Sequence, residues 1–153
     1  MRLEKDYEEF IELLNEHDVR YLVVGAYAVS YYARPRNTGD IDFFVDNSSD
    51  NISHLLKVLQ NFGFGELDLT PDDFQGNDNI IQLGYEPVRI DIMTGISGVS
   101  FDHAYKNKVQ GKLGQQSVYF ISLQDLIVNK KASDRTQDKA DAELLEKYRD
   151  FDK

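Results

Sequence analysis

Val24-Gly25-Ala26, a gap of thirteen residues, then Asp40-Ile41-Asp42-Phe43 constrains this chain more than any other feature. Side chains on a β-strand alternate between faces with a period of two. Asp40 and Asp42 therefore share one face, and Ile41 and Phe43 share the other. Two carboxylates about 5 Å apart repel by roughly 3 kcal/mol at an effective dielectric of about 20. A cation between them removes that cost, and an all-oxygen ligand set suits a hard ion, Mg²⁺ or Mn²⁺.

A second alternating run, Val88-Arg89-Ile90-Asp91-Ile92-Met93, puts Arg89, Asp91 and Met93 on one face. Asp91 is thus a third strand carboxylate, expected on the face that carries Asp40 and Asp42. Three carboxylates can hold two metal ions about 4 Å apart, the clamp used for in-line phosphoryl or nucleotidyl displacement. In that scheme Asp40 and Asp42 bind both metals and the nucleotide phosphates. Asp91 holds the second metal and helps deprotonate the attacking hydroxyl. Gly25 leaves room for a phosphate beside the backbone, and the helix that follows offers free N–H groups. Taken singly, these features are weak. Asp-x-Asp pairs are common at solvated strand ends, a lone glycine is an ordinary turn, and Arg89 reads as an exposed strand residue. Their order and spacing together carry the reading.

The chain has 153 residues, 41% hydrophobic and 29% charged, which fits a single soluble domain spanning residues 1–153. Its net charge is −10 and its pI about 4.7. Such a surface repels phosphate backbones, so broad nucleic-acid binding is disfavoured. It favours a cationic small molecule or a basic protein as partner, while a local basic patch suffices for a triphosphate. The absence of cysteine excludes disulfides, thiolate zinc sites and cysteine nucleophiles. No apolar run approaches the roughly 20 residues of a membrane span. Met1-Arg2-Leu3-Glu4-Lys5-Asp6 lacks the apolar core of a secretory leader. A cytoplasmic protein without membrane contact is expected.

Periodicity predicts a helix over Leu3–Asn15, a strand over Tyr21–Val24 and a short helix over Ala26–Tyr32. Arg34–Gly39 reads as a loop, Ile41–Val45 as a strand and Ile52–Phe62 as a helix entered through Asn47–Asp50. Thr70-Pro71-Asp72-Asp73 looks like another helix start. Ile80–Leu83 with Val88–Met93, and Val109–Leu113 with Val118–Ile121, read as hairpins. Ser122-Leu123-Gln124-Asp125 fits a capping box for a helix running through Ala132, and a last helix covers Gln137–Tyr148. This order predicts an α+β domain with a mixed β-sheet flanked by helices.

With those residues in view, the chain resembles the nucleotidyltransferases of the DNA polymerase beta superfamily. Val24-Gly25-Ala26 and Asp40-Ile41-Asp42-Phe43 match the superfamily's glycine turn and acidic pair at the upper end of its gap. Arg36-x-Thr38-x-Asp40-Ile41-Asp42 looks like the form in small prokaryotic members, the toxin–antitoxin and lincosamide-type antibiotic-resistance nucleotidyltransferases. Asp125-Leu126-Ile127-x-x-Lys130, then Arg135, then Asp138-x-x-Asp141 is similar to their C-terminal region. The resemblance spans roughly residues 20 to 145. It implies a nucleotidyltransferase fold whose C-terminal helices close over the nucleotide site. It also implies transfer of an NMP from an NTP, such as ATP, to an acceptor hydroxyl, with release of pyrophosphate. Catalytic and metal-binding roles then fall to Asp40, Asp42 and Asp91. Nucleotide binding falls to Gly25, Ala26, Arg36, Thr38, Lys130 and Arg135. The acidic surface favours a cationic small molecule or a protein as acceptor over RNA, for which a local basic strip would have to suffice. A cognate toxin or antitoxin protein is a possible partner.

Two departures favour an alternative, a non-catalytic nucleotide-binding or antitoxin-like protein of the same fold. Ala26 stands where relatives have a second Gly or Ser, and Gln137 where they often have Lys. Several other residues have a functional and a plainer reading. Lys130 is expected at the phosphates, with Lys131 its solvated neighbour. Arg34 and Arg36 either bind phosphate or pair with the acidic surface, and Arg36 is preferred for phosphate. Tyr27 and Tyr31 share a helix face and are expected in the core. His17, His54 and His103 have no metal-ligand spacing and read as surface or structural. Asp138 and Asp141 cap the helix, pair with Arg135 and Lys139, or hold Lys130 in place.

Overall fold

The computed structural model describes residues 3–151. Helix α1 (Lys5–Glu16) leads into strand β1 (Tyr21–Val24), helix α2 (Gly25–Tyr32), strand β2 (Asp40–Val45) and helix α3 (Ser49–Leu59). Strands β3 (Ile80–Leu83) and β4 (Arg89–Met93), helix α4 (Phe101–Lys106), strands β5 (Val109–Leu113) and β6 (Gln116–Phe120), and helices α5 (Leu123–Ala132) and α6 (Thr136–Phe151) follow. The six strands form one mixed sheet in the order β3-β4-β2-β1-β6-β5. Strand β2 runs antiparallel to β1 and parallel to β4. Strand β1 runs parallel to β6, and both expected hairpins are antiparallel pairs. The expected α+β architecture is the one observed.

The apolar stripe of α1 explains the core. Tyr7, Phe10, Ile11 and Leu14 fall on one helix face and are fully buried. Phe10 packs on Phe43 of β2 with ring centroids 5.4 Å apart. That contact fixes which face of β2 is apolar, and so which face carries Asp40 and Asp42.

Asn51, at the start of α3, is fully buried. Its carboxamide oxygen accepts from the Arg20 amide at 2.7 Å, and its amino group donates to the carbonyls of Arg20 (3.0 Å) and Asp46 (2.6 Å). One side chain thus joins the residue before β1, the residue after β2 and α3.

Several boundaries differ from expectation. Helix α1 begins at Lys5 rather than Leu3. Helix α3 ends at Leu59 rather than Phe62, and the chain continues through a wider turn in which Gly63 takes φ +103°. The start at Thr70 yields a single 3-10 turn (Pro71–Phe74), anchored by fully buried Phe74. Helix α6 extends to Phe151. Helix α4, capped by Ser100, is too short to show a periodicity and was not expected. The box at Ser122 is half formed: its hydroxyl accepts from the Asp125 amide at 3.1 Å, but the Asp125 carboxylate turns to His103 Nε2 at 3.1 Å. Among the described residues no helix is long and apolar enough to cross a membrane.

Asn51→Ala removes the side-chain partner of the Arg20 amide and of the Asp46 carbonyl. It is expected to lower unfolding stability by about 2 kcal/mol. Denaturant melts of the variant and the parent check this.

Candidate active site

Strands β2 and β4 lie in register so that Asp42 is beside Asp91 and Asp40 is beside Arg89. Paired residues on neighbouring strands project to the same side. The two alternating runs therefore deliver all four side chains to one patch. One carboxylate oxygen from each of Asp40, Asp42 and Asp91 lies within 4.8 Å of the other two. The patch opens on a cavity of about 570 Å³, within the range of small-molecule sites. Gly25 and Ala26 line it where α2 begins, as do Arg36 and Thr38 before β2. Lys130, Arg135 and Gln137 line it from the C-terminal helical region. All nine residues selected from the sequence thus border a single cavity.

Gly25 has a more immediate reason to be glycine than phosphate access. It takes φ +67°, and a Cβ there would collide with the Asp42 carboxylate. The strand–glycine–helix turn and the acidic pair are therefore coupled sterically across the β1–β2 ladder, where Val24 pairs with Asp42.

Sequence reasoning missed the part played by Arg89. Its guanidinium donates to Asp91 from Nε (2.8 Å) and Nη2 (3.0 Å), and Nη2 also reaches Asp40 Oδ2 at 2.8 Å. The side chain is 25% exposed. The alternation already set Arg89 on the acidic face, and its pairing with Asp40 required the β2–β4 register. The remaining Asp40 oxygen accepts from the Thr38 hydroxyl at 2.9 Å. No ion pair to Asp42 occurs among the described residues.

The other cations are tied together through α6. Lys130 is buried, with Nζ 3.0 Å from Asp138 and 3.3 Å from Asp141. Of the readings open for Asp138 and Asp141, holding Lys130 matches these contacts, and the pairing of Asp138 with Arg135 is present as well. Asp141 also accepts from Arg36 Nη1 at 2.6 Å and from Gln137 Nε2 at 3.0 Å. Arg135 is the most open of the cavity's cations, 77% exposed and 3.8 Å from Asp138. Lys131 points away, to Glu146 at 2.8 Å. Tyr27 is buried as expected, whereas Tyr31 is 43% exposed and stacks on Phe120 instead of entering the core.

The donor set consists of carboxylate oxygens alone, which fits a hard divalent ion. Burial, then the nearby Asp40 and Asp91 charges, push the Asp42 carboxyl from its ordinary 3.8 up to about 7. Burial also raises the Asp91 carboxyl, against the pull of its Arg89 hydrogen bonds. The folded chain therefore holds the Asp42 proton more tightly than the unfolded chain does. The stability this gives is fully present below about pH 4 and is lost as the pH rises through about 7. In chelator, the melting temperature is expected to fall between about pH 5 and about pH 8, and Asp42→Asn to flatten that fall. Thermal melts of both proteins across that range check it.

A family model described as a nucleotidyl transferase of unknown function matches residues 3–151. The crystal structure of the lincosamide antibiotic adenylyltransferase LnuA, lincomycin-bound, superposes with a TM-score of 0.57. The match covers 96% of this chain and 98% of that one at 16% sequence identity, a likeness of fold. No curated protein sequence matches. With the family match running through nearly its whole length, the chain belongs to the family of nucleotidyl transferases of unknown function.

Proposed function

We propose that the chain is a divalent-metal-dependent nucleotidyltransferase that moves an NMP from an NTP to a hydroxyl on a small cationic acceptor and releases pyrophosphate. The observation that carries this reading is the meeting of Asp40, Asp42 and Asp91 in one cavity beside Gly25. Bound there, Mg²⁺ or Mn²⁺ would neutralise phosphate charge and orient the reacting oxygens.

The charge balance of the cavity supports metal dependence. Arg36, Arg89, Lys130 and Arg135 line it, and so do Asp40, Asp42, Asp91 and Asp138. Four cations against four acids leave little net attraction for a triphosphate. Asp40, Asp42 and Asp91 would hold divalent ions whose charge would make the site electropositive. In this reading the protein contributes mostly positioning and fixed charge. Gly25 and Ala26 present backbone N–H groups at the start of α2. Arg135 is the readiest phosphate ligand, because its side chain is open to solvent and its ion pair to Asp138 is long. Lys130 and Arg36, each already paired with Asp141, act as a rigid electropositive wall rather than as mobile grips. Asp91 lies beside Asp42 at the β4 side of the cluster and takes the proton of the attacking hydroxyl.

The net charge of −10 supports a cationic acceptor. The LnuA structure was obtained with lincomycin, which makes hydroxyl-bearing aminoglycosides and lincosamides the first compounds to try. A basic protein hydroxyl ranks next, and RNA last.

Turnover of α-labelled NTPs with Mg²⁺ or Mn²⁺ and a panel of such acceptors tests the reading. Labelled acceptor and pyrophosphate are the expected products. Asp42→Ala and Asp91→Asn are each expected to lower the rate by about a thousandfold while the fold persists. Nucleotide-induced stabilisation without turnover on any acceptor would instead favour the non-catalytic binding protein.

A further inference from the structure

We propose that Arg89 is an exchangeable counter-ion that competes with divalent metal for Asp40 and Asp91 and so makes metal binding depend on nucleotide. The inference rests on the nucleotidyltransferase reading of the same site.

Both oxygens of Asp91 accept from Arg89, as does Asp40 Oδ2. An ion ligated by Asp91 must therefore share an oxygen with the guanidinium, and two cations at one oxygen repel strongly. The backbone of Arg89 does not move in this exchange. Its amide donates to the Gly39 carbonyl at 3.2 Å, and its carbonyl accepts from the Tyr7 hydroxyl at 3.0 Å. The freedom lies in the side chain, which is partly exposed and lines the cavity.

Metal alone must displace the guanidinium into solvent with no new partner. Metal arriving with a triphosphate gives the released guanidinium an anion within the same cavity, which suits its forked donors. The two ligands then assist each other, and linkage requires the assistance to be equal in both directions. Arg89 is thus a positioning residue for the loading step, where sequence alone marked it only as an exposed strand residue.

Isothermal titration of the full chain with Mn²⁺, with a non-hydrolysable ATP analogue, and with both, at one fixed pH, tests this. In the parent protein the analogue is expected to tighten Mn²⁺ binding by about tenfold or more. Arg89→Met is expected to bind Mn²⁺ alone about tenfold more tightly than the parent and to lose most of that coupling. Arg89→Lys, which keeps the charge, is expected to retain weak metal-only binding. Cooperative melting of each variant confirms that the fold persists. If the parent binds Mn²⁺ with analogue but Arg89→Met binds Mn²⁺ alone no more tightly, the counter-ion role is overturned and the nucleotidyltransferase reading stands. If no protein in the series binds Mn²⁺ or analogue, both are overturned.

Discussion

Like charges held close on adjacent parallel strands are the constraint from which the rest of the site follows. The β2–β4 register sets Asp42 beside Asp91, and the period of two brings Asp40 to the same face. Nothing local relieves that crowding in full. Arg89 reaches two of the three carboxylates, and Asp42 answers by holding its proton to about pH 7. The apolar face of β2, pressed onto α1, prevents the strand from turning the acids into solvent. Keeping such an arrangement costs the fold local stability.

One residue of α6 ties the C-terminal helices to the loop that leads into β2. Asp141 is 2% exposed and contacts Lys130 of α5, Arg36 of the loop before β2, and Gln137 of its own helix. It joins the segment that delivers Thr38 and Asp40 to the helices that complete the cavity. Gln137 gains a structural use there, as a donor to Asp141. A lysine at that position would add charge to a carboxylate that already serves two cations.

What was legible in the sequence follows from physics that acts over short stretches. Strand alternation located Asp40, Asp42 and Asp91, and apolar spacing located β1, β2 and α1 within a residue or two. Arg89 was visible on the acidic face, but its partner Asp40 lies 49 residues away and is fixed only by the β2–β4 register. The pairing of Lys130 with Asp138 and Asp141 was one reading among three, and the packing of α5 on α6 brings it about beside the Asp138–Arg135 pair. The steric reason for Gly25 was hidden because it depends on the Asp42 side chain across the sheet. Helix α4 was missed because six residues carry too little periodicity.

The central claim is that the three strand carboxylates jointly hold divalent ion against nucleotide. A crystal structure with Mn²⁺ and a non-hydrolysable NTP, read by anomalous scattering, tests it most directly. The account predicts manganese ligated by Asp40, Asp42 and Asp91, with the phosphates toward Gly25 and Ala26. Manganese and nucleotide bound elsewhere on the protein, with those aspartates making no contact to either, would contradict it.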